Sequence, residues 1–480
     1  MIGITSFGAY IPRFRINRST IWGAVGFLGN FPRPGENAVA NFDEDSISMA
    51  VSAGLDCLRL IDKDDIEGVF FATTTQPFGV RQNSAIVASA LNVKSDLRTS
   101  DFVACTKAGT SALLSALDAV KADSVNNILV CAADSRIGKP GSAQEYLFGD
   151  GAAALLVGKD KVIATLECQH SISYDFPDRW KSVGEKFEHA WEDRFIRDEG
   201  YSKILVEAIS GLLNKCNLEI KDITKLIYPC PYPSEHARIA EKLNAVSGQK
   251  QDTMIDKIGE TGAAHPLIML VAALEDAKPG DRLLVAGFGS GCDVLLLRVT
   301  ESILQMGSSV GVKGSIARRK DLSSYEKYCV FHNSMTVDIG MRGETIPYTA
   351  FSLLWRERKK ILGLQGSRCK SCGTPQYPGG KICVNPDCRA IEQMEPYGFA
   401  DKKASVFSYT ADNLAPSLCP PAIYGIIDFE GGGRYWFDFT DCDLEDIKVG
   451  MSVEMTFRRK YVDEGRGVHG YYWKVIPSHS

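Results

Sequence analysis

Fourteen cysteines occur in 480 residues, and five of them stand in settings suited to chemistry. Cys105 lies in Asp101-Phe-Val-Ala-Cys-Thr-Lys-Ala-Gly-Thr-Ser-Ala-Leu-Leu114. A strand-like segment ends there at Ala104, and small residues open a helix whose apolar positions (Leu113, Leu114, Leu117, Val120) recur at helical spacing. A cysteine in a first helical turn faces unpaired N–H groups and the positive end of the helix dipole, and both favour thiolate over thiol. Ala104, Ala108 and Gly109 leave room for an acyl group on the sulfur. The competing reading is a small thiol buried in a tight junction, a common fate of free cysteine. Cys369, Cys372, Cys383 and Cys388 form two close pairs around Pro378-Gly-Gly380, the spacing of a tetrahedral four-thiolate structural zinc site.

Proton-handling candidates are fewer. Glu260 precedes an apolar helix in Gly259-Glu-Thr-Gly-Ala-Ala-His265. Burial there would raise its pKa and make it a general base; a helix-capping carboxylate is the plainer alternative. His265 precedes Pro266 and could serve the same place or pack in a core. His236 stands near a helix start, facing either a cleft or the surface. His189 opens a charged, aromatic stretch ending at Phe195, readable as an active-site loop or as a solvated helix face.

The elements that must position these residues alternate. Strands are expected at 68–73, 127–133 and 152–157, with helices at 46–60 and 107–122. A second half repeats the pattern, with strands at 162–168, 225–228, 282–287 and 294–299 and helices at 201–215, 234–245 and 264–275. Buried strands alternating with helices predict an α/β fold with both sheet faces covered. Each half sets one special residue just before an apolar helix, Cys105 in the first and Glu260 in the second, which suggests duplication. The expected domains are two α/β halves (1–160 and 161–303), a linker rich in Gly, Ser and mixed charge (304–345), a helix with the zinc ribbon (346–400) and a small all-β barrel (401–480), its strands at 405–410, 422–429, 434–438 and 452–458.

Several motifs in sequence order resemble the thiolase superfamily, and within it the branch of hydroxymethylglutaryl-CoA synthases and ketoacyl synthase III. They are Cys105 in its segment, Glu145-Tyr-Leu-Phe-Gly-Asp-Gly151, Gly287-Phe-Gly-Ser-Gly291, the N-terminal Ile2-Gly-Ile-Thr-Ser-Phe-Gly-Ala-Tyr-Ile-Pro-Arg13, and Asn41-Phe-Asp-Glu-Asp-Ser46. The likeness spans roughly residues 1–300. It implies a duplicated five-layer thiolase fold, coenzyme A thioesters as substrates, and a homodimer or larger assembly. Cys105 would be the nucleophile. The backbone N–H groups of Cys105 and Ser290 would form the oxyanion hole. Zinc ribbon and barrel together resemble the ribbon-plus-OB-fold accessory domain of many thiolase-like acyltransferases, fused here in one chain. The chain departs from the family in two places. Pro229 stands where ketoacyl synthase III has its histidine, and Thr74 falls near the position of the synthase glutamate. Glu260, His265 and His236 are the substitutes within reach.

Composition narrows the choices. Apolar residues make up 45%, charged residues 24%, and the formal charge is −5. Residues 401–480 hold nine Lys/Arg against twelve Asp/Glu, which argues against a phosphate-binding groove and so against a nucleic-acid partner. No apolar run reaches the roughly 20 residues of a membrane span, and no secretory signal opens the chain. A cytoplasmic protein with reduced cysteines is therefore expected. The leading expectation is an acyl-CoA C-acyltransferase that makes or breaks a carbon–carbon bond through acyl-Cys105. The alternatives are a hydroxymethylglutaryl-CoA synthase with relocated acid and base, a thiolase-like retro-aldol lyase using Tyr228 or Tyr232, and a non-catalytic scaffold.

Overall fold

The computed structural model describes residues 1–28, 34–307, 309–338, 340 and 348–478. They form two compact units. The first comprises Met1–Asn41, Ser52–Ser84 and Lys94–Met335, the second Phe42–Val51, Ala85–Val93 and Thr336–Ser480.

In the first unit nine strands share one sheet. The first half supplies β1 (Gly3–Tyr10), β2 (Gly68–Ala72), β3 (Arg98–Phe102), β4 (Ile128–Asp134) and β5 (Gly151–Gly158). The second supplies β6 (Ala164–Ser173), β7 (Lys225–Ile227), β8 (Arg282–Phe288) and β9 (Gly291–Val299). The spatial order is β7-β8-β9-β6-β1-β5-β4-β2-β3. Followed outward from the β1/β6 contact, the halves repeat one another: β1-β5-β4-β2-β3 on one side, β6-β9-β8-β7 on the other. In each half the first two pairings are antiparallel and the next is parallel. β3 adds a further parallel pairing in the first half, and a parallel bridge from Leu226 to Lys250 takes its place in the second. β2 and β4 are buried along their whole length, as strands covered on both faces must be.

Two helices follow the third-strand position of each half, α1 (Ala108–Lys121) and α2 (His265–Leu274). Each packs on strands of both halves, so the two helices form a central layer. Every residue of α2 is buried, which explains why it is apolar all round rather than on one stripe. Leu267→Ala there should cost about 2–5 kcal/mol in transfer and cavity energy. The close approach of α1 to the loop before α2 depends on Gly109, where a Cβ would stand 2.2 Å from the Ala263 carbonyl oxygen.

Two expectations need correction. Within 304–345, the described residues up to Met335 are folded rather than a linker, and 308, 339 and 341–345 lie outside the described residues. Helices Gly311–Ala317 and Tyr325–Phe331 form there. Val312, Tyr328 and Phe331 are buried, Tyr325 donates to Glu145 (2.8 Å) and His332 pairs with Asp150 (2.7 Å). A few apolar and polar anchors fix a segment whose average composition looks like a connector. Disulfides were not expected, yet Cys168 at β6 and Cys216 at the end of helix Val206–Cys216 are joined by one. The two elements pack side by side with Cα atoms 6.5 Å apart, within bridging reach.

In the second unit the expected helix at 349–362 is two short pieces, Phe351–Arg356 and Arg358–Leu362, broken at Glu357. A three-stranded ribbon (Gln365–Cys369, Pro375–Gln376, Met394–Gly398) follows. The barrel has five strands, β10 (Ala404–Asp412), β11 (Ala422–Phe429), β12 (Arg434–Asp438), β13 (Ser452–Asp463) and β14 (Val468–Pro477), in the order β12-β11-β10-β13-β14. β14 was not anticipated. Closure comes from a bridge between Phe439 and Val475. The segment Phe42–Val51 belongs to this unit. Lys474 binds Asp43 (2.8 Å), Tyr471 donates to Asp45 (2.7 Å), and Arg458, with no solvent exposure, pairs with Glu44 and with Asp441 (2.5 Å). Among the described residues no helix is long and apolar enough to cross a membrane.

Candidate active site

Cys105 stands in the turn between β3 and α1. The helix itself begins at Ala108 with Lys107 as its cap, so the cysteine precedes the first turn rather than lying in it. Ala104 holds φ +79°, a conformation costing of order 1–3 kcal/mol for a residue with a side chain and concentrated at functional sites. The sulfur is half-buried, and burial pushes its thiol pKa up. The Lys107 N–H and ammonium pull it down, while Asp293 and Asp178 push it up again. The expected thiolate is thus replaced by a thiol at rest.

Against this turn lies the turn joining β8 and β9. The Thr106 hydroxyl donates to the Phe288 carbonyl (2.7 Å), and a Cβ on Gly289 would meet Thr106 Oγ1 at 2.5 Å. Ser290 takes φ +48° between two glycines. Among the described residues neither the Cys105 nor the Ser290 backbone N–H finds an acceptor. Cys105 is half-buried and Ser290 exposed, so solvent reaches these turns, and the two N–H groups belong to neighbouring turns. Lys107 is tethered to Asp293 (3.4 Å), whose carboxylate also accepts from Ser111 (2.5 Å) and Ser171 (2.7 Å).

Glu260 occupies the equivalent junction before α2, but its electrostatics reverse the expectation. Arg136 Nη1 (2.5 Å) and Arg179 Nη1 (2.6 Å) both reach its Oε2, and Gly262 N–H reaches Oε1 (2.9 Å). Burial alone would raise its pKa. The charges of Arg136, Arg179 and His265 outweigh that and hold the carboxyl well below the usual range. A carboxylate so paired takes up a proton poorly, so the raised-pKa base expected here is absent. Arg136 is completed by Glu188 (2.9 and 2.5 Å) and covers the Phe148 ring at 3.9 Å. Nearby, Asp134 accepts from the Thr73, Thr74 and Thr75 hydroxyls and the Thr74 and Ala263 N–H groups (2.7–3.0 Å). Thr74 thus holds a buried carboxylate in place instead of supplying one.

The histidines lie elsewhere. His265 is fully buried, with Nδ1 against Thr261 (3.0 Å) and Nε2 against the Thr253 carbonyl (2.9 Å), the packing of a core histidine. His236 is buried against Tyr228 (ring centroids 4.6 Å apart), and burial pushes its pKa down to about 4. Its charged neighbours are Lys250 and Asp252. His189 stacks on Trp180 at an exposed position. The Tyr228 hydroxyl donates to the His236 carbonyl and that of Tyr232 to Asp193. Sequence reasoning missed Asp134, Arg136, Asp178, Arg179, Glu188 and Asp293. Asp134 and Arg136 had left a trace, charged residues at and just beyond the end of an apolar strand, and Glu188 immediately precedes the charged, aromatic stretch that His189 opens.

The four C-terminal cysteines converge. Their sulfurs all lie within 4.8 Å of one another, with Cys369–Cys388 at 3.8 Å and Cys372–Cys383 at 3.5 Å. Zn–S bonds of about 2.3 Å in a tetrahedron require sulfurs about 3.8 Å apart.

Known proteins align with these features. The C-terminal domain of 3-oxoacyl-[acyl-carrier-protein] synthase III matches residues 213–298, and the ChsH2 C-terminal OB-fold domain matches 399–458. Hydroxymethylglutaryl-CoA synthase of Methanopyrus kandleri is 31% identical over 63% of this chain and 89% of its own length. That of Methanobrevibacter smithii is 30% identical over 69% and 98%. The chain belongs to the hydroxymethylglutaryl-CoA synthase family. As a family member it is a thiolase-superfamily acyltransferase of the carbon–carbon bond-forming kind. Its fold matches a crystal structure of HMG-CoA synthase complexed with CoA (TM-score 0.63, 18% identity, 73% of this chain and 95% of that one). It also matches ketoacyl synthase III of Aquifex aeolicus (TM-score 0.56, 20% identity, 62% and 100%). The duplicated thiolase-like fold and the OB barrel expected from the motifs are therefore present.

Proposed function

We propose that the protein joins two acyl-coenzyme A thioesters, or cleaves their product, through an acyl group carried on Cys105. The observation that carries this reading is the Cys105 turn. A strained residue precedes a half-buried thiol, and two unengaged N–H groups from adjoining turns, those of Cys105 and Ser290, are available to a thioester oxyanion. Family relatives solved with CoA and with HMG-CoA support coenzyme A thioesters as the substrate class. A thiol that is protonated at rest needs its proton removed as the acyl group arrives. Intact-mass spectrometry after incubation with a panel of acyl-CoAs tests the reading. One acyl adduct per chain, mapped to the Cys105 peptide, is expected; no adduct with any member of the panel would sink it.

Hydroxymethylglutaryl-CoA synthesis is the second reading, favoured by the relatives that share that name over most of their length. Mixing acetoacetyl-CoA with acetyl-CoA and looking for the product by mass separates the two. The four-cysteine cluster suits a structural zinc with every ligand place filled. One zinc per chain is expected, and Cys372→Ser should release it and unfold the ribbon, because structural zinc contributes folding free energy directly. The family resemblance also carries a homodimer, which light scattering would test.

A further inference from the structure

Four buried carboxylates and the half-buried Glu188 lie about the Cys105 turn and the Glu260 junction, and they are not equivalent. Asp134 has five donors, Glu260 two guanidiniums and an N–H, Glu188 one guanidinium held at two points, and Asp293 three hydroxyls and a lysine. Asp178 is 7% exposed, and among the described residues no side chain donates to it; it takes only the N–H of its neighbour Arg179.

Its position is nonetheless fixed. Asp178 N–H donates to the Phe176 carbonyl (3.0 Å) and Trp191 N–H donates to the Asp178 carbonyl (3.1 Å). The Phe176 ring packs on Phe288 (6.4 Å) and Trp191 (6.0 Å). Phe288 carries the carbonyl that binds Thr106, next to Cys105. The segment carrying Asp178 therefore packs on Phe288, at the nucleophile's end of the sheet, and the charge of Asp178 acts to raise the Cys105 thiol pKa.

We propose that Asp178 is the general base of the carbon–carbon step, doing the work that the family motif positions Thr74 and Pro229 cannot do. This rests on the acyl-Cys105 reading. With the enzyme acylated, the Asp178 carboxylate accepts the α-proton of the second thioester. The resulting carbanion attacks the carbonyl carbon held on Cys105, a carbon–carbon bond forms and the carbon–sulfur bond to Cys105 breaks. The departing thiolate recovers the proton from the Asp178 carboxyl, which restores both groups without any added reagent. The charged and titratable groups facing Asp178 are Arg179, Arg136, Glu260, Cys105 and Tyr201. Burial raises its pKa above the ordinary carboxylate value, and the charges of Arg179 and Arg136 only partly offset this. Glu260, held low, and Asp178, held high, show the divergence that separates a locked charge from a working base.

Asp178→Asn and Asp178→Glu test the assignment in the full-length protein, with acetyl-CoA as probe. Two readouts are taken: the acyl adduct at Cys105, and deuterium uptake at the α-carbon of acetyl-CoA in heavy water. Asp178→Asn should keep the adduct and lose α-carbon exchange and condensation by ~10²–10⁴-fold, the usual range for general base catalysis. Asp178→Glu should recover part of the exchange, with the acidic limb of its pH profile displaced from wild type. Wild-type exchange in the asparagine variant would overturn the proposal. An unchanged pH limb in the glutamate variant would do so as well, and that measurement decides the matter should the asparagine variant fail to fold. Absence of any adduct in the wild type is a separate failure, of the acyl-Cys105 reading itself.

Discussion

Cys105 and Glu260 hold the same place in the two halves of one duplicated framework, each between a third-strand position and a central helix. Around Cys105 the polar groups are left open: two N–H groups without acceptors, a half-buried thiol, a strained Ala104. Around Glu260 they are closed, since every oxygen of the carboxylate is met by a donor and the histidine that follows has both ring nitrogens engaged. Duplication supplies two equivalent helix entrances at the centre of the fold. Leaving one unsatisfied makes a reaction position, and saturating the other supplies a rigid wall beside it.

The largest effect expected concerns the open side. Cys105→Ala should abolish the acyl adduct completely, and the intact mass after acyl-CoA treatment would read it. A remaining adduct at another residue would erase the distinction between the junctions. On the closed side, Glu260→Gln should destabilise the protein by about 3–5 kcal/mol, because it leaves two buried guanidiniums undercompensated. Chemical denaturation would measure this, and the folded fraction should still acylate. Gly109→Ala forces a methyl group into the Ala263 carbonyl, where the two junctions touch, and should cost about 1–3 kcal/mol, read as a lowered Tm. The smallest effect is in acid. The Glu260 carboxyl is held low in the folded state, so its stabilising share is complete above the unfolded value near 4.3. That share fades as pH falls further toward the folded value. The stability gap between wild type and Glu260→Gln should therefore narrow below about pH 4; a gap constant down to pH 2 would contradict the ion pairs described.

Much of the framework was legible from local pattern. The strands Ala422–Phe429 and Arg434–Asp438 fall where alternation put them, and α1 and α2 start within a residue of their expected positions. Cys105 and the four-cysteine spacing were legible because their signals are short-range. The Arg136–Glu188–Glu260–Arg179 cluster was not, since its members are up to 124 residues apart and nothing in the spacing of any one predicts the others. Glu260 was misjudged for that reason: burial was foreseeable from the apolar helix behind it, but the two arginines that reverse its consequence were not. The folded segment after Leu304 was missed because Val312, Tyr328 and Phe331 are too sparse to lift a window rich in Gly and Ser.

The acidic run at Asp43, Glu44 and Asp45 imposes a schedule on biosynthesis. Glu44 pairs with Arg458, 414 residues downstream. At synthesis rates of about 5–20 residues per second the wait is roughly 20–80 s, during which three carboxylates destined for burial stay in water. Until the chain is nearly finished, the run Asp43–Asp45 has no cationic partner from the barrel. The barrel is therefore no trailing accessory: a product that stops near residue 345 would reach completion with Asp43 and Glu44 still lacking the lysine and arginine meant to receive them.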